Sequence, residues 1–75
     1  MILTIDVGNT NIKVAVFKQV NLIEKFVFQK NELKNNFKNI LIKYPNCTNA
    51  VLSSVGKLDE NDILWLKSHL NLLEI

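Results

Sequence analysis

The apolar residues of this chain change period near Asn31, and that change limits the fold more than any other feature. Before it, three runs rich in β-branched and aromatic residues, Met1 to Val7, Ile12 to Phe17 and Leu22 to Phe28, are separated by polar turns. Those turns are Gly8-Asn9-Thr10-Asn11 and Lys18-Gln19-Val20-Asn21, so the spacing predicts three antiparallel strands. Glu24 and Lys25, in the middle of the third, mark it as exposed or an edge. After the change, Leu33, Phe37, Ile40, Leu41 and Tyr44 form one apolar stripe at helical spacing. Asn31 is the expected N-cap, and Pro45 must end the helix because it restricts the residue before it and cannot donate a backbone bond.

Ala50 to Val55 reads as a buried strand whose polar end leads through Gly56 into a loop. A second helix follows, with Asp59 as cap, Asp62 at the third helical position, and Leu58 and Ile63 spaced as a hydrophobic staple. Ile63, Leu66 and Leu70 give its inner face, with Trp65 alongside, and Leu72 to Ile75 opens a fifth strand. The order β-β-β-α-β-α-β predicts an α/β fold: a mixed sheet covered by helices, of the ribonuclease-H-like kind.

At 75 residues and 48% hydrophobic content the chain suffices for one small domain. A domain of that size buries only about 60–65% of its unfolded surface, so its core is marginal unless another surface covers it. The formal net charge is +2 and all nine basic residues are Lys, leaving no Arg fork for phosphate or guanine, so nucleic acid is not an expected partner. Lys30, Lys34 and Lys38 are expected to be the solvated face of the first helix. One Cys47 and one distant His69 make neither a disulfide nor a metal set, and Cys47 is expected as an incidental thiol in a polar loop. No run approaches the ~18 apolar residues of a membrane span and nothing resembles an export signal, so the expected location is cytoplasmic.

The chemistry concentrates in the first turn. Closing that hairpin through Asn9-Thr10, or through a four-residue loop over Gly8 to Asn11, places Asp6 opposite Lys13. Thr4 and Ala15 then share their face, while Ile5, Val7, Ile12 and Val14 take the other. Gly8 lets the backbone approach a ligand, the turn's N–H groups can point at phosphate oxygens, and Asn9 and Thr10 add side-chain donors. Asp6 suits the hydration shell of Mg²⁺, and Lys13 offsets phosphoryl charge. The competing reading is a plain cross-strand ion pair worth about 0.2–1 kcal/mol. Against it, Asp6 interrupts an apolar central strand, where an unsupported carboxylate costs several kcal/mol.

The segment Asp6-Val7-Gly8-Asn9-Thr10-Asn11-Ile12-Lys13 resembles the phosphate-binding opening of the type III pantothenate kinases, members of the sugar-kinase, Hsp70 and actin superfamily. Asn9 favours that family over relatives that carry Asp-x-Gly followed by Thr or Ser. The resemblance implies that all eight residues line an ATP-phosphate site, with Asp6 also at the metal. Ser53-Ser54-Val55 is a weaker likeness, more simply read as hydroxyls capping the next loop. For the parent enzyme the family resemblance implies transfer of the ATP γ-phosphate to pantothenate, the first step of coenzyme A biosynthesis, by a homodimer assisted by Mg²⁺ and a monovalent cation, K⁺ or NH₄⁺. The family's Gly-x-Asp-Arg segment, which supplies the catalytic Asp, does not occur here. Residues 1–75 are therefore expected to be the N-terminal nucleotide-phosphate-binding domain of a truncated chain, without a catalytic residue and inactive alone. A non-catalytic nucleotide-binding module and a purely structural α/β domain stay open beside that reading.

Overall fold

Alternation builds the first three strands. In the computed structural model, which describes all 75 residues, β1 (Ile2–Val7), β2 (Asn11–Lys18) and β3 (Asn21–Gln29) form two successive antiparallel hairpins. Leu3, Ile5 and Val7 of β1 and Ile12, Val14 and Val16 of β2 are fully buried, whereas Thr4, Asp6 and Lys13 are exposed on the opposite face. β3 is an edge strand, as Glu24 and Lys25 require, and contributes Phe28 to the core. In the turn between β2 and β3, Gln19 takes φ 57°, a left-handed conformation that a side chain adopts only at some cost.

β3 runs without a loop into a 3₁₀ turn at Lys30–Glu32 and then into α1 (Leu33–Lys43). This corrects two expectations, the Asn31 cap and the place of Lys30 on the helix face. Asn31 lies inside the 3₁₀ turn rather than at a cap, and Glu32, which does precede the helix, makes no side-chain capping bond. The tighter 3₁₀ turn is itself entered from Gln29, which takes the extended capping conformation without a side-chain bond. Lys30 consequently leaves the Lys34–Lys38 stripe and turns back, its ammonium donating to the Lys57 carbonyl at 2.8 Å.

Leu33, Phe37 and Ile40 of α1 are buried, with Leu41 and Tyr44 packed at the margin, and Phe37 meets Phe28 edge to face at 5.8 Å. Tyr44, the residue before Pro45, closes the helix by donating its N–H to the Ile40 carbonyl. Cys47 is not in a solvated loop: the Cys47 N–H bonds the Tyr44 carbonyl, the turn folds its side chain inward, and burial raises the thiol pKa.

β4 (Asn49–Ser54) pairs parallel with β1, and β5 (Asn71–Glu74) parallel with β4, giving the sheet order β3-β2-β1-β4-β5. Between them α2 (Glu60–His69) starts on Asp59, whose carboxylate accepts the Asn61 N–H at 2.8 Å. Leu66 and Leu70 enter the same core as Phe37, Ile63 stays partly exposed, and Trp65 packs alongside while stacking on His69 at 4.2 Å. Both helices thus cover one face of a five-stranded mixed sheet. The other face is bare, displaying Asp6, Lys13 and Ser53 together with the apolar Val27 and Leu73. No helix is long and apolar enough to cross a membrane.

One polar clasp ties the helical layer to the edge strand. Glu24 of β3 pairs with Lys43 at 2.8 Å and accepts a hydrogen bond from the Tyr44 hydroxyl. The Lys43 hydrogen bond, and then that of Tyr44, hold the Glu24 carboxyl below its ordinary value of 4.5. A depressed folded-state value contributes stability that is present above 4.5 and is lost as pH falls through the folded pKa. In thermal melts, Glu24→Gln should therefore lower the melting temperature at neutral pH and show a smaller further loss on acidification than the unsubstituted chain. Phe37→Ala should cost about 3–5 kcal/mol in chemical denaturation, because it removes the ring at the centre of the core. A loss below ~1 kcal/mol would show that the Phe28–Phe37 contact is not what seats α1.

Candidate functional site

Strand pairing delivers the residues of the first turn. Asp6 is paired with Lys13, Thr4 with Ala15 and Val7 with Ile12, the register expected from closure over Asn9-Thr10. On its other side Asp6 lies beside Ser53 of β4, so Lys13, Asp6 and Ser53 form one row across three strands on the bare face. Asp6 and Lys13 do not bond each other: the chain's two ion pairs are Lys43–Glu24 and Lys67–Glu74. They instead border a shallow groove of about 170 Å³, shared with Thr4, Ala15 and Lys25. The largest concavity, about 570 Å³, lies at the opposite end of the sheet around Ile2, Asn49 and Asn71, and is mostly apolar.

The turn itself is held by one internal bond, from the Gly8 N–H to the Asn11 carbonyl at 2.9 Å. The N–H groups of Asn9 and Thr10 have no partner in the chain. Neither Asn9, Thr10 nor Gly8 has a positive φ, so the turn is open and unstrained, and Gly8 serves closeness, not handedness: a Cβ there would sit 3.3 Å from the Asn11 carbonyl oxygen. A polar concavity of about 470 Å³ lined by Thr10, Asn11, Gln29, Lys30 and Asn31 runs beside it.

Three expectations change in detail. Asp6 carries no burial penalty, because its strand is covered on one face only and Asp6 occupies the other. Val7 and Ile12 point into the core at 0% exposure, so within the eight-residue segment they can offer a ligand only backbone atoms. Of the two serines, the Ser54 hydroxyl donates to the Gly56 carbonyl, the loop-capping role expected for it, while Ser53 stands free beside Asp6. Sequence reasoning passed over Gly56, whose backbone N–H, with that of Val55, donates to the Val7 carbonyl at 3.3 and 3.1 Å. The one local signal was a glycine directly after Ser-Ser-Val.

Electrostatically the row offers one carboxylate and one ammonium side by side, next to two unpaired amide donors. No group of three or more His, Cys, Asp or Glu residues gathers in the chain. A lone exposed carboxylate fits Mg²⁺ in its usual phosphate-bound form, in which one or two carboxylates share the ion with phosphate oxygens and water.

Fold and site together define the class: an α/β chain with an Asp-x-Gly-Asn-Thr hairpin at one end of a mixed sheet. The family is narrower. The sequence model of the type III pantothenate kinase family matches residues 2–70, and the chain belongs to that family. It is 49% identical over 71 residues to a type III pantothenate kinase of Flavobacterium johnsoniae, covering 95% of this chain and 29% of the relative. The protein of the same name from Christiangramia forsetii is 44% identical over all 75 residues, 31% of its own length. That of Flavobacterium psychrophilum is 47% identical over 60 residues, 80% of this chain and 25% of the relative. The chain thus spans between a quarter and a third of the length of these relatives.

Because the Asp6 side chain bonds nothing in the chain, Asp6→Asn should leave the folding free energy within about 0.5 kcal/mol of the parent in denaturant titrations. A larger loss would make Asp6 a structural residue and remove it from the site.

Proposed function

We propose that residues 1–75 form the ATP-phosphate-binding part of an enzyme that transfers the γ-phosphate of ATP to pantothenate, yielding 4′-phosphopantothenate at the first step of coenzyme A biosynthesis. Membership of the type III pantothenate kinase family supports the reaction class. The observation that carries the site is the set of unpaired groups at the turn: the Asn9 and Thr10 amides flanked by Asp6 and Lys13, none with a partner in the chain.

In this reading the Asn9 and Thr10 amides and side chains bind phosphate oxygens, Lys13 offsets their charge and Asp6 holds water of a phosphate-bound Mg²⁺. Val7, Gly8, Asn11 and Ile12 act through the backbone that sets this geometry. The sheet would be half of a ribonuclease-H-like, actin-type fold. A monovalent cation, K⁺ or NH₄⁺, a homodimer and a cytoplasmic location complete the proposal for the whole enzyme. No Gly-x-Asp-Arg occurs in residues 1–75, so we assign no base for the substrate hydroxyl here. Residues 1–75 alone would bind nucleotide without transferring phosphate.

Titrating the isotope-labelled chain with Mg·ADP or Mg·ATP should shift amide resonances of residues 6 to 13. Asp6→Asn should abolish the response, and Lys13→Ala should weaken binding by about 1.5–3 kcal/mol, the size of a charge-assisted contact. Absence of any shift at millimolar nucleotide would leave the hairpin as part of a structural domain.

A further inference from the structure

Gly56 is the more closely packed of the two glycines. A Cβ there would stand inside contact distance of the Gly8 carbonyl oxygen, 2.7 Å from the Gly8 carbonyl carbon and 2.8 Å from Lys30 Nζ. Gly56 has no positive φ, so glycine is required for space rather than for backbone handedness. The lysine tip can move aside, whereas the Gly8 peptide can yield only by shifting the turn.

Around this contact, two segments distant in sequence converge on the backbone of residues 7 to 10. From the loop after β4, the Val55 and Gly56 N–H groups both donate to the Val7 carbonyl. From the 3₁₀ turn after β3, the Lys30 N–H donates to the Thr10 carbonyl at 3.4 Å. The Lys30 ammonium then bonds the Lys57 carbonyl, closing the loop after β4 against the 3₁₀ turn. The Gly8–Thr10 turn has only one internal hydrogen bond, so its shape is set largely from outside.

We propose that Gly56 and Lys30 are positioning residues that hold the Gly8–Thr10 turn in its phosphate-binding shape; this rests on the nucleotide-binding reading of that turn. Two amides grip one phosphate group only if they converge before the ligand arrives, and a loosened turn spends binding free energy on its own ordering. Gly56 sets how near the loop after β4 approaches Gly8. Lys30 fixes that loop through Lys57.

The test compares the unsubstituted chain with Gly56→Ala, Lys30→Met and Lys30→Arg by two readouts: amide exchange at Gly8 without nucleotide, and Mg·ADP affinity from resonance shifts. Gly56→Ala and Lys30→Met should each speed Gly8 exchange and weaken Mg·ADP binding by about tenfold, as expected for local opening of a ligand-shaping loop. Lys30→Arg should restore most of both. Unchanged exchange and affinity in both variants overturn the proposal. Weaker binding by Lys30→Met with unchanged Gly8 exchange also overturns it, making Lys30 a direct phosphate contact. Should Gly56→Ala not fold, Lys30→Met carries both readouts, since its side chain is partly exposed. Failure of the unsubstituted chain to bind Mg·ADP sinks the nucleotide reading separately from the clamp, whose exchange readout needs no ligand.

Discussion

β1 is paired on both sides, antiparallel to β2 and parallel to β4, and the placement of every functional group depends on those two registers. Its side chains alternate strictly, Leu3, Ile5 and Val7 inward against Thr4 and Asp6 outward. A slip of one residue against the core would bury the Asp6 charge and expose three large apolar side chains. Burying a charge without a partner costs several kcal/mol, a large part of the total stability of a domain this small. The same alternation that fills the core therefore also holds Asp6 beside Lys13 and Ser53. Direction matters as much as register. Because β1, β3 and β4 run the same way, the turn after β1, the 3₁₀ turn after β3 and the loop after β4 all emerge at one end of the sheet. That shared exit lets Gly8, Lys30 and Gly56 meet although up to 48 positions of sequence separate them.

Features set by short-range pattern were legible before the structure. The hairpin register follows from alternation about a short polar turn, the stripe of α1 from helical spacing, the stop at Tyr44 from Pro45, and the start of α2 from Asp59. Features set by what another segment does were not. Asn31 has the chemistry of a cap, but the strand enters the helix through a 3₁₀ turn that has no capping position for it. Cys47 sits between polar neighbours and is buried because the turn after Pro45 folds it into the core. Lys30 keeps helical spacing with Lys34 and Lys38 yet belongs to a different element, and its partner lies 27 residues away. Gly56 reads locally as ordinary loop punctuation, while its steric role exists only once Gly8 is placed against it.

Asp6 shows how the ground for a functional reading can move while the reading stays. A carboxylate inside an apolar strand suggests a costly burial that function must justify, but a strand pattern does not tell whether one face of a sheet is covered or both. One face is open here, so Asp6 costs little, and cost no longer argues for a ligand. What does argue for one is the lack of partners. An Asp6–Lys13 pair on this open face would gain about 0.2–1 kcal/mol, comparable to the entropy lost in fixing a lysine side chain, so leaving both free is nearly neutral for stability. Their charges and the Asn9 and Thr10 amides stay available at no cost to the fold. Beyond Lys13, Asp6 and Ser53, the next row toward the far end holds Lys25, Ala15, Thr4, Val51 and Leu73, so charge continues there only at the β3 edge. The free amides of Asn9 and Thr10 join the Asp6 and Lys13 charges only where the three loops emerge. The carboxyl end of β1 is therefore where free backbone donors, the Lys13 ammonium and the Asp6 carboxylate lie together, beside the two segments that set the shape of the turn.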